Sequence, residues 1–417
     1  MTPHAKRVGI LFSGGPAPAA NSVISSAALA FLNKEYIVIG FREGFKYLEE
    51  ANRPEDLVEG KHYWKLTYSD VTNMRNEPAI MLKTSRTNPA THIRSVDDLS
   101  KPELRAPLEK VIKLLSHLEL DALITIGGDD TLRTANCLYR VKNLFFEGKG
   151  PAIIHLPKTI DNDYFGIDWT FGFFSAADFA AREVRAIAAD VKSAPGWFIL
   201  EIMGRKSGWL TYAAGIAGEA TRMFSVEDLE KKHLDEQGKL ILEVLADDVV
   251  NLILDRERHD KHYGVVCVAE GLADKLTDQF KTLDPSLNPL LGEAQIGSQL
   301  ASMVELRFKK LTGRAIRVRG KQIGYETRCV PPTAFDVLLG CQLGIGAFRA
   351  VEEMAYDGHM VSVEDQLKIT FVPFERLVDQ KTLKTRLRYI PCDSDFYRLA
   401  RELEFKPWIK VDPSGII

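Results

Sequence analysis

The sequence lacks any CxxC pair. Its five cysteines, Cys137, Cys267, Cys329, Cys341 and Cys392, stand far apart, and no Cys/His cluster has zinc spacing. That excludes a small zinc module and predicts buried thiols in a reducing compartment. An excess of either charge is also missing: 54 basic residues stand against 57 acidic ones, a net charge of -3. Such a balance leaves no footprint for nucleic acid or an anionic membrane, so any positive site must be local. No internal repeat, low-complexity tract or apolar run of membrane-spanning length is evident. From Met1 the chain runs through Lys6 and Arg7 into a strand with no apolar signal region, which predicts a cytoplasmic location without a membrane partner.

What the sequence does have is alternation. With 417 residues the chain is long enough for two cores. Apolar runs bounded by glycine alternate with helical-period segments, the pattern of βαβ units and a parallel sheet. Val8 to Phe12 reads as a buried strand, Ser13-Gly14-Gly15-Pro16 as a turn, Ala19 to Leu32 as an alanine-rich helix and Tyr36 to Phe41 as the next strand. Ala122 to Ile126, Ala152 to Leu156, Phe198 to Ile202 and Gly264 to Ala269 repeat the strand pattern. In open α/β sheets chemistry gathers at such strand ends. Arg53 to Arg75 and Glu230 to His262 are charged, lack strand rhythm and read as surface insertions or helical elaborations without a catalytic role.

Three strand ends carry reactive residues. Ile124-Thr125-Ile126-Gly127-Gly128-Asp129-Asp130-Thr131 runs from a strand through two glycines and two carboxylates into a helix. Glycine there lets backbone N–H groups approach a phosphate, and the helix N-terminus favours negative charge. The carboxylates would repel that phosphate unless a cation such as Mg²⁺ stood between them; the alternative is that Asp129 or Asp130 only caps the helix. His155-Leu156-Pro157-Lys158-Thr159-Ile160-Asp161-Asn162-Asp163 supplies a cation for a transferring phosphoryl group and a carboxylate base for an acceptor hydroxyl. An Asn/Asp turn is its plainer reading.

In Glu201-Ile202-Met203-Gly204-Arg205-Lys206-Ser207-Gly208 a strand delivers an arginine suited to bidentate phosphate binding, unless Ser207 simply caps a helix and Arg205 is a solvated charge. Downstream, Thr312-Gly313-Arg314 precedes Arg317, Arg319, Lys321, Tyr325 and Arg328. This basic and aromatic concentration suits an anionic substrate; a solvated strand edge would explain Arg317 and Lys321 equally well.

Taken in this order, the segments resemble the phosphofructokinase family, from about Val8 to about Glu352. NAD kinases and diacylglycerol kinases share a glycine-aspartate loop but lack the PxTIDND and MGR segments. The resemblance implies an α/β protein of two Rossmann-like three-layer domains with mainly parallel sheets and the active site in the cleft between them. The expected division is 1–172 with about 325–378 for the phosphoryl-donor domain and 173–324 with about 379–417 for the sugar-phosphate domain. It further implies that Asp161, flanked by Thr159 and Asp163, is the base for the sugar 1-hydroxyl, and that Met203, Gly204 and Arg205 meet the sugar phosphate, Arg205 also approaching the transferring group. Glu270 matches a carboxylate that binds sugar hydroxyls. Tyr325 and Arg328, with Arg319 beside them, match the 6-phosphate pocket, and Arg86 in Thr84-Ser85-Arg86 matches a phosphate-contacting arginine. Gly15 and Gly128 fall in the donor loops, and Asp129 matches the Mg²⁺ ligand.

The donor is indicated by two positions. ATP-using members of the family carry glycine where this chain has Asp130 and Lys158, and the first turn, Gly14-Gly15-Pro16-Ala17-Pro18, has proline where they usually carry aspartate. The sequence therefore resembles the pyrophosphate-using branch. Asp130 would occupy the place of the ATP α-phosphate and repel it, while Lys158 would stabilise charge on a donor that has no adenosine anchor. Ala19 and Lys83 stand where the family usually has glycine, and Gly196 where many members have an arginine that reaches a neighbouring subunit. The resemblance thus implies reversible transfer from pyrophosphate to the 1-hydroxyl of fructose 6-phosphate by a cytoplasmic homodimer. Competing readings are an ATP-dependent enzyme, an acceptor such as sedoheptulose 7-phosphate, and a non-catalytic regulatory subunit.

Overall fold

The computed structural model describes residues 5–276 and 291–405. In chain order its strands are β1 (Arg7–Phe12), β2 (Ile37–Phe41), β3 (Tyr63–Leu66), β4 (Ala122–Gly127), β5 (Ala152–Pro157), β6 (Trp197–Ile202), β7 (Arg222–Phe224), β8 (Gly264–Ala269), β9 (Val318–Ile323), β10 (His359–Glu364) and β11 (Lys368–Pro373). The chain forms two compact units. One comprises residues 5–175 and 328–388, the other 176–276, 291–327 and 389–405.

The first unit holds a seven-stranded sheet in the order β11-β10-β5-β4-β1-β2-β3. Its inner strands are parallel, while β3 on β2 and β11 on β10 run antiparallel at the two edges. β1 and β4 are almost wholly buried, as parallel strands covered on both faces must be, which is why they read as unbroken apolar runs. The second unit holds an all-parallel sheet in the order β7-β8-β6-β9.

Three local readings need correction. Arg53 to Arg75 contains β3, whose Leu66 pairs with Val38 of β2; a four-residue, half-exposed edge strand is too short to show a period of two. Two cysteines expected to be buried, Cys329 and Cys392, are exposed, because they lie in the turn after β9 and in the loop before the last helix. The helix Ala334–Glu352 has the length and composition of a membrane span, although no such run stood out in the sequence. Within the first unit it packs against the helix Ala20–Leu32, and a Cβ on Gly344 would lie 2.7 Å from the Ala27 nitrogen. Close packing accounts for its small and apolar face.

Ala19 and Lys83, for which the resemblance implies glycine, both have left-handed backbone, φ 63° and 56°. This conformation crowds any Cβ. Lys83 is exposed, so removing its side chain sacrifices no packing. Lys83→Gly is expected to stabilise the protein by about 1 kcal/mol, read as a higher unfolding midpoint in a denaturant titration.

Candidate active site

In the first unit, parallel register sets three chain segments side by side at one edge of the sheet. Phe12 pairs with Ile126 and Gly127 with Pro157, so the turn after β1, the glycine-aspartate loop after β4 and the Lys158 segment after β5 emerge together. The strand order reverses at β1, where β2 and β4 lie on opposite sides. Open α/β sheets bind ligands in the crevice at such a point.

The turn after β1 needs glycine, since Gly14 has φ 88°. Its N–H donates to the Ser85 carbonyl at 2.9 Å and its carbonyl accepts the Thr84 hydroxyl at 2.6 Å. These bonds bring the Thr84-Ser85-Arg86 loop to the turn. The Arg328 guanidinium lies over Gly15, with Nη1 3.6 Å from where a Cβ would stand. Lys158 is 7% exposed, and its ammonium donates to the Gly15 carbonyl at 2.8 Å. Burial, reinforced by repulsion from Arg328, brings the Lys158 pKa down to about 8, against the attraction of Asp161 and Asp129. A buried ammonium beside further guanidinium groups is a site prepared for several negative charges.

Asp129 and Asp130 open the helix Asp129–Phe145. Asp129 Oδ1 accepts the Asp130 N–H at 3.0 Å, which orients the first carboxylate at the helix head. Among the described residues no three His, Cys, Asp or Glu side chains form a metal cluster. Mg²⁺ commonly takes one or two carboxylates and completes its shell with substrate phosphates and water. The Asp129 pair beside a phosphate-compatible loop therefore fits that ion.

In the segment after β5, the Thr159 hydroxyl accepts the Asp161 N–H at 3.0 Å, and the Thr159 carbonyl accepts the Thr170 hydroxyl at 2.8 Å. Sequence reasoning missed the support beneath this site. His155 is fully buried between the Thr125 hydroxyl and the Tyr164 hydroxyl, each 2.9 Å away, and Tyr164 also donates to the Gly127 carbonyl. Burial brings the His155 pKa down to about 3, so the ring is neutral. One signal was available: a polar residue in the middle of an apolar strand.

The second unit gathers the sugar-phosphate candidates. β6 ends at Ile202 beside Ala269 of β8 and Ile323 of β9, so Met203-Gly204-Arg205, Glu270 and the turn containing Tyr325 follow neighbouring strand ends. Gly204 N–H donates to Glu270 Oε2 at 3.4 Å, and Glu270 is 5% exposed. A Cβ on Gly271 would lie 2.8 Å from the Arg205 carbonyl; only glycine allows the two loops to approach so closely. Arg319 is not brought to this cluster. It pairs with Phe198, about 13 Å back along β9 at 3.3 Å per residue, and its guanidinium covers Gly196 and the Phe198 ring.

Glu201, which the motif reading did not single out, is buried in β6. It accepts the Gly297 N–H at 3.0 Å and the Gln322 amide at 2.9 Å. Burial, with Glu270 nearby, pushes its pKa up to about 7.

The phosphofructokinase family model matches residues 7–351. The chain belongs to the phosphofructokinase family. A pyrophosphate--fructose 6-phosphate 1-phosphotransferase from Thermotoga maritima is 32% identical over 411 residues, covering 95% of this chain and 90% of the relative. An ATP-dependent 6-phosphofructokinase from Chloroflexus aurantiacus is 29% identical over 376 residues, covering 89% and 90%. The structure of a pyrophosphate-dependent phosphofructokinase from Nitrosospira multiformis matches with a TM-score of 0.70 at 18% identity, covering 99% of this chain and 96% of that one. The α/β fold with mostly parallel sheets is thus the family's.

His155 also sets an expectation for acid stability. Its folded pKa lies below the ordinary value near 6.5, so the unfolded chain binds a proton that the folded one refuses. Its neutral burial is therefore favourable above pH 6.5, and stability is lost as pH falls from there toward 3. In urea melts, His155→Gln should cost stability at pH 7.5, and the gap to the parent protein should narrow at pH 5.

Proposed function

We propose that this phosphofructokinase transfers a phosphoryl group reversibly from inorganic pyrophosphate to the 1-hydroxyl of fructose 6-phosphate, giving fructose 1,6-bisphosphate and phosphate. The observation that carries the choice of donor is the buried Lys158 ammonium on the Gly15 carbonyl, with Arg328 over the same glycine. A short, highly charged donor needs concentrated positive charge, whereas ATP would bring an α-phosphate toward the carboxylate of Asp130.

In this reading Asp161 accepts the proton of the sugar 1-hydroxyl as that oxygen bonds to the terminal phosphorus of pyrophosphate. The bond from phosphorus to the bridging oxygen breaks, and inorganic phosphate leaves. Thr159 fixes the Asp161 backbone and Asp163 flanks it. Lys158 and Arg86, with the N–H groups of Gly15 and Gly128, hold the donor and offset the charge developing on its oxygens. Asp129 would hold Mg²⁺, which would neutralise donor charge when bound. Met203, Gly204, Arg205 and Glu270 receive the sugar phosphate, and Tyr325 receives the 6-phosphate. The resemblance also gives Arg328 to the 6-phosphate, but its position over Gly15 favours a role at the phosphoryl groups. Arg319 and the homodimer rest on the resemblance alone, and the cytoplasmic location on the sequence expectation. The near-neutral charge supports a small-molecule partner rather than nucleic acid.

ATP is the second reading, favoured by the Chloroflexus relative. Parallel assays of fructose 1,6-bisphosphate formation with pyrophosphate or ATP decide between them. Turnover with pyrophosphate alone is expected; turnover with ATP alone would overturn the donor assignment, and silence with both would bring forward a different acceptor or a non-catalytic subunit. Asp130→Gly should admit measurable use of ATP, raising kcat/KM for that donor by about tenfold or more, since removing a like charge near its α-phosphate is worth roughly 1–2 kcal/mol at a partly solvated site. Asp161→Ala should lower kcat at least about 1,000-fold, within the range for removing a positioned base, while calorimetry still detects fructose 6-phosphate binding.

A further inference from the structure

The family match ends at residue 351, yet the chain returns to the Asp161 segment well beyond it. Residues 384–388 form a strap anchored on their own side of the unit: Arg386 N–H donates to the Leu377 carbonyl, and Thr385 bridges to Val378. On the other side, Leu387 bridges to Tyr164. Arg388 then makes three bonds to one short stretch of backbone. Its N–H donates to the Asp163 carbonyl at 2.8 Å, Nη2 to the Asn162 carbonyl at 2.9 Å and Nη1 to the Ile167 carbonyl at 2.8 Å. Burial lowers the Arg388 pKa, against the attraction of the Asp168 and Asp163 carboxylates.

The stretch it holds is under backbone strain. Asn162, between the two aspartates, has φ 53°, a left-handed conformation that asparagine enters more readily than other residues with a side chain but still at some cost. Such a conformation persists only where its surroundings fix it. The Asn162 side-chain oxygen accepts the Thr170 N–H at 3.0 Å, and Arg388 takes the Asn162 carbonyl. Side chain and main chain of the left-handed residue are therefore each held by a separate hydrogen bond, directly beside Asp161.

We infer that Arg388 is a positioning residue for the reaction: its guanidinium fork locks the Asp161-Asn162-Asp163 backbone in the strained conformation that aims Asp161 at the acceptor hydroxyl. This rests on the reading of Asp161 as the base. The function comes from outside the family's matched region, supplied by a C-terminal strap with no recognisable motif.

The test compares the full-length parent with Arg388→Ala and Arg388→Lys. With pyrophosphate and fructose 6-phosphate, Arg388→Ala should lower kcat by about 100-fold, the scale of a 1 Å misplacement, with KM for fructose 6-phosphate within about threefold because the sugar-binding residues are untouched. Arg388→Lys keeps the charge but cannot fork, so it should fall between the two. Millimolar guanidinium should restore part of the activity of the alanine variant, which a general loss of folding would not permit. Hydrogen exchange over residues 161–170 should quicken in Arg388→Ala with other segments unchanged. Parental kcat in Arg388→Ala, or a loss shared by kcat, KM and melting midpoint without guanidinium rescue, would overturn the inference. A parent inactive with either donor would instead overturn the reading of Asp161, and unchanged exchange at 161–170 would then overturn the clamp as well.

Discussion

The register of β1, β4 and β5 is the constraint on which the first unit depends. Parallel pairing aligns Phe12 with Ile126 and Gly127 with Pro157, so three segments distant in sequence end at the same level. A slip of one residue in any of these strands would turn its buried side chains toward the wrong face and move its terminal loop. The apolar runs that fix the register also fix where Gly15, Asp129 and Lys158 emerge. Site and core are specified by the same residues.

That arrangement accumulates charge in a place where water is scarce. Lys158 is buried, lies beside Arg328, and faces Asp161 and Asp129. Taking an ammonium out of water is costly unless hydrogen bonds and opposite charges compensate. The Gly15 carbonyl does so in part, and an anionic ligand would do so further. The neutral His155 and Tyr164 beneath the loops act differently: they satisfy one another and Gly127, holding the glycine loop without adding charge. The second unit has a comparable support in Glu201, whose carboxylate joins β6 to Gln322 on β9 and to the head of the helix Ile296–Thr312.

Backbone strain is distributed in a similar way. Ala19, Lys83 and Asn162 all have left-handed φ. The carbonyl of Ala19 itself begins the helix Ala20–Leu32, accepting the N–H groups of Ser22 and Val23. At Asn162 the strain lies directly beside the candidate base. Strain is tolerated where several hydrogen bonds converge, and it makes the local geometry depend on distant parts of the chain.

The alternation of apolar runs and helical segments determined the fold class, because continuous burial leaves no freedom of period in a parallel strand. The glycine-aspartate loop, PKTIDND and MGR were legible as motifs, since their chemistry needs adjacent residues. What the sequence could not express was contact between segments far apart. Arg328 over Gly15, His155 under Gly127, Gln322 against Glu201 and Arg388 across the Asp161 loop join residues separated by tens to hundreds of positions, and none leaves a local pattern. β3 and β11 were missed for a related reason: edge strands are short or half-exposed and owe their conformation to the partner they pair with. Sequence determined which groups lie at each strand end; tertiary structure decided which of them meet, because charge burial, register and loop strain are settled by neighbours in space.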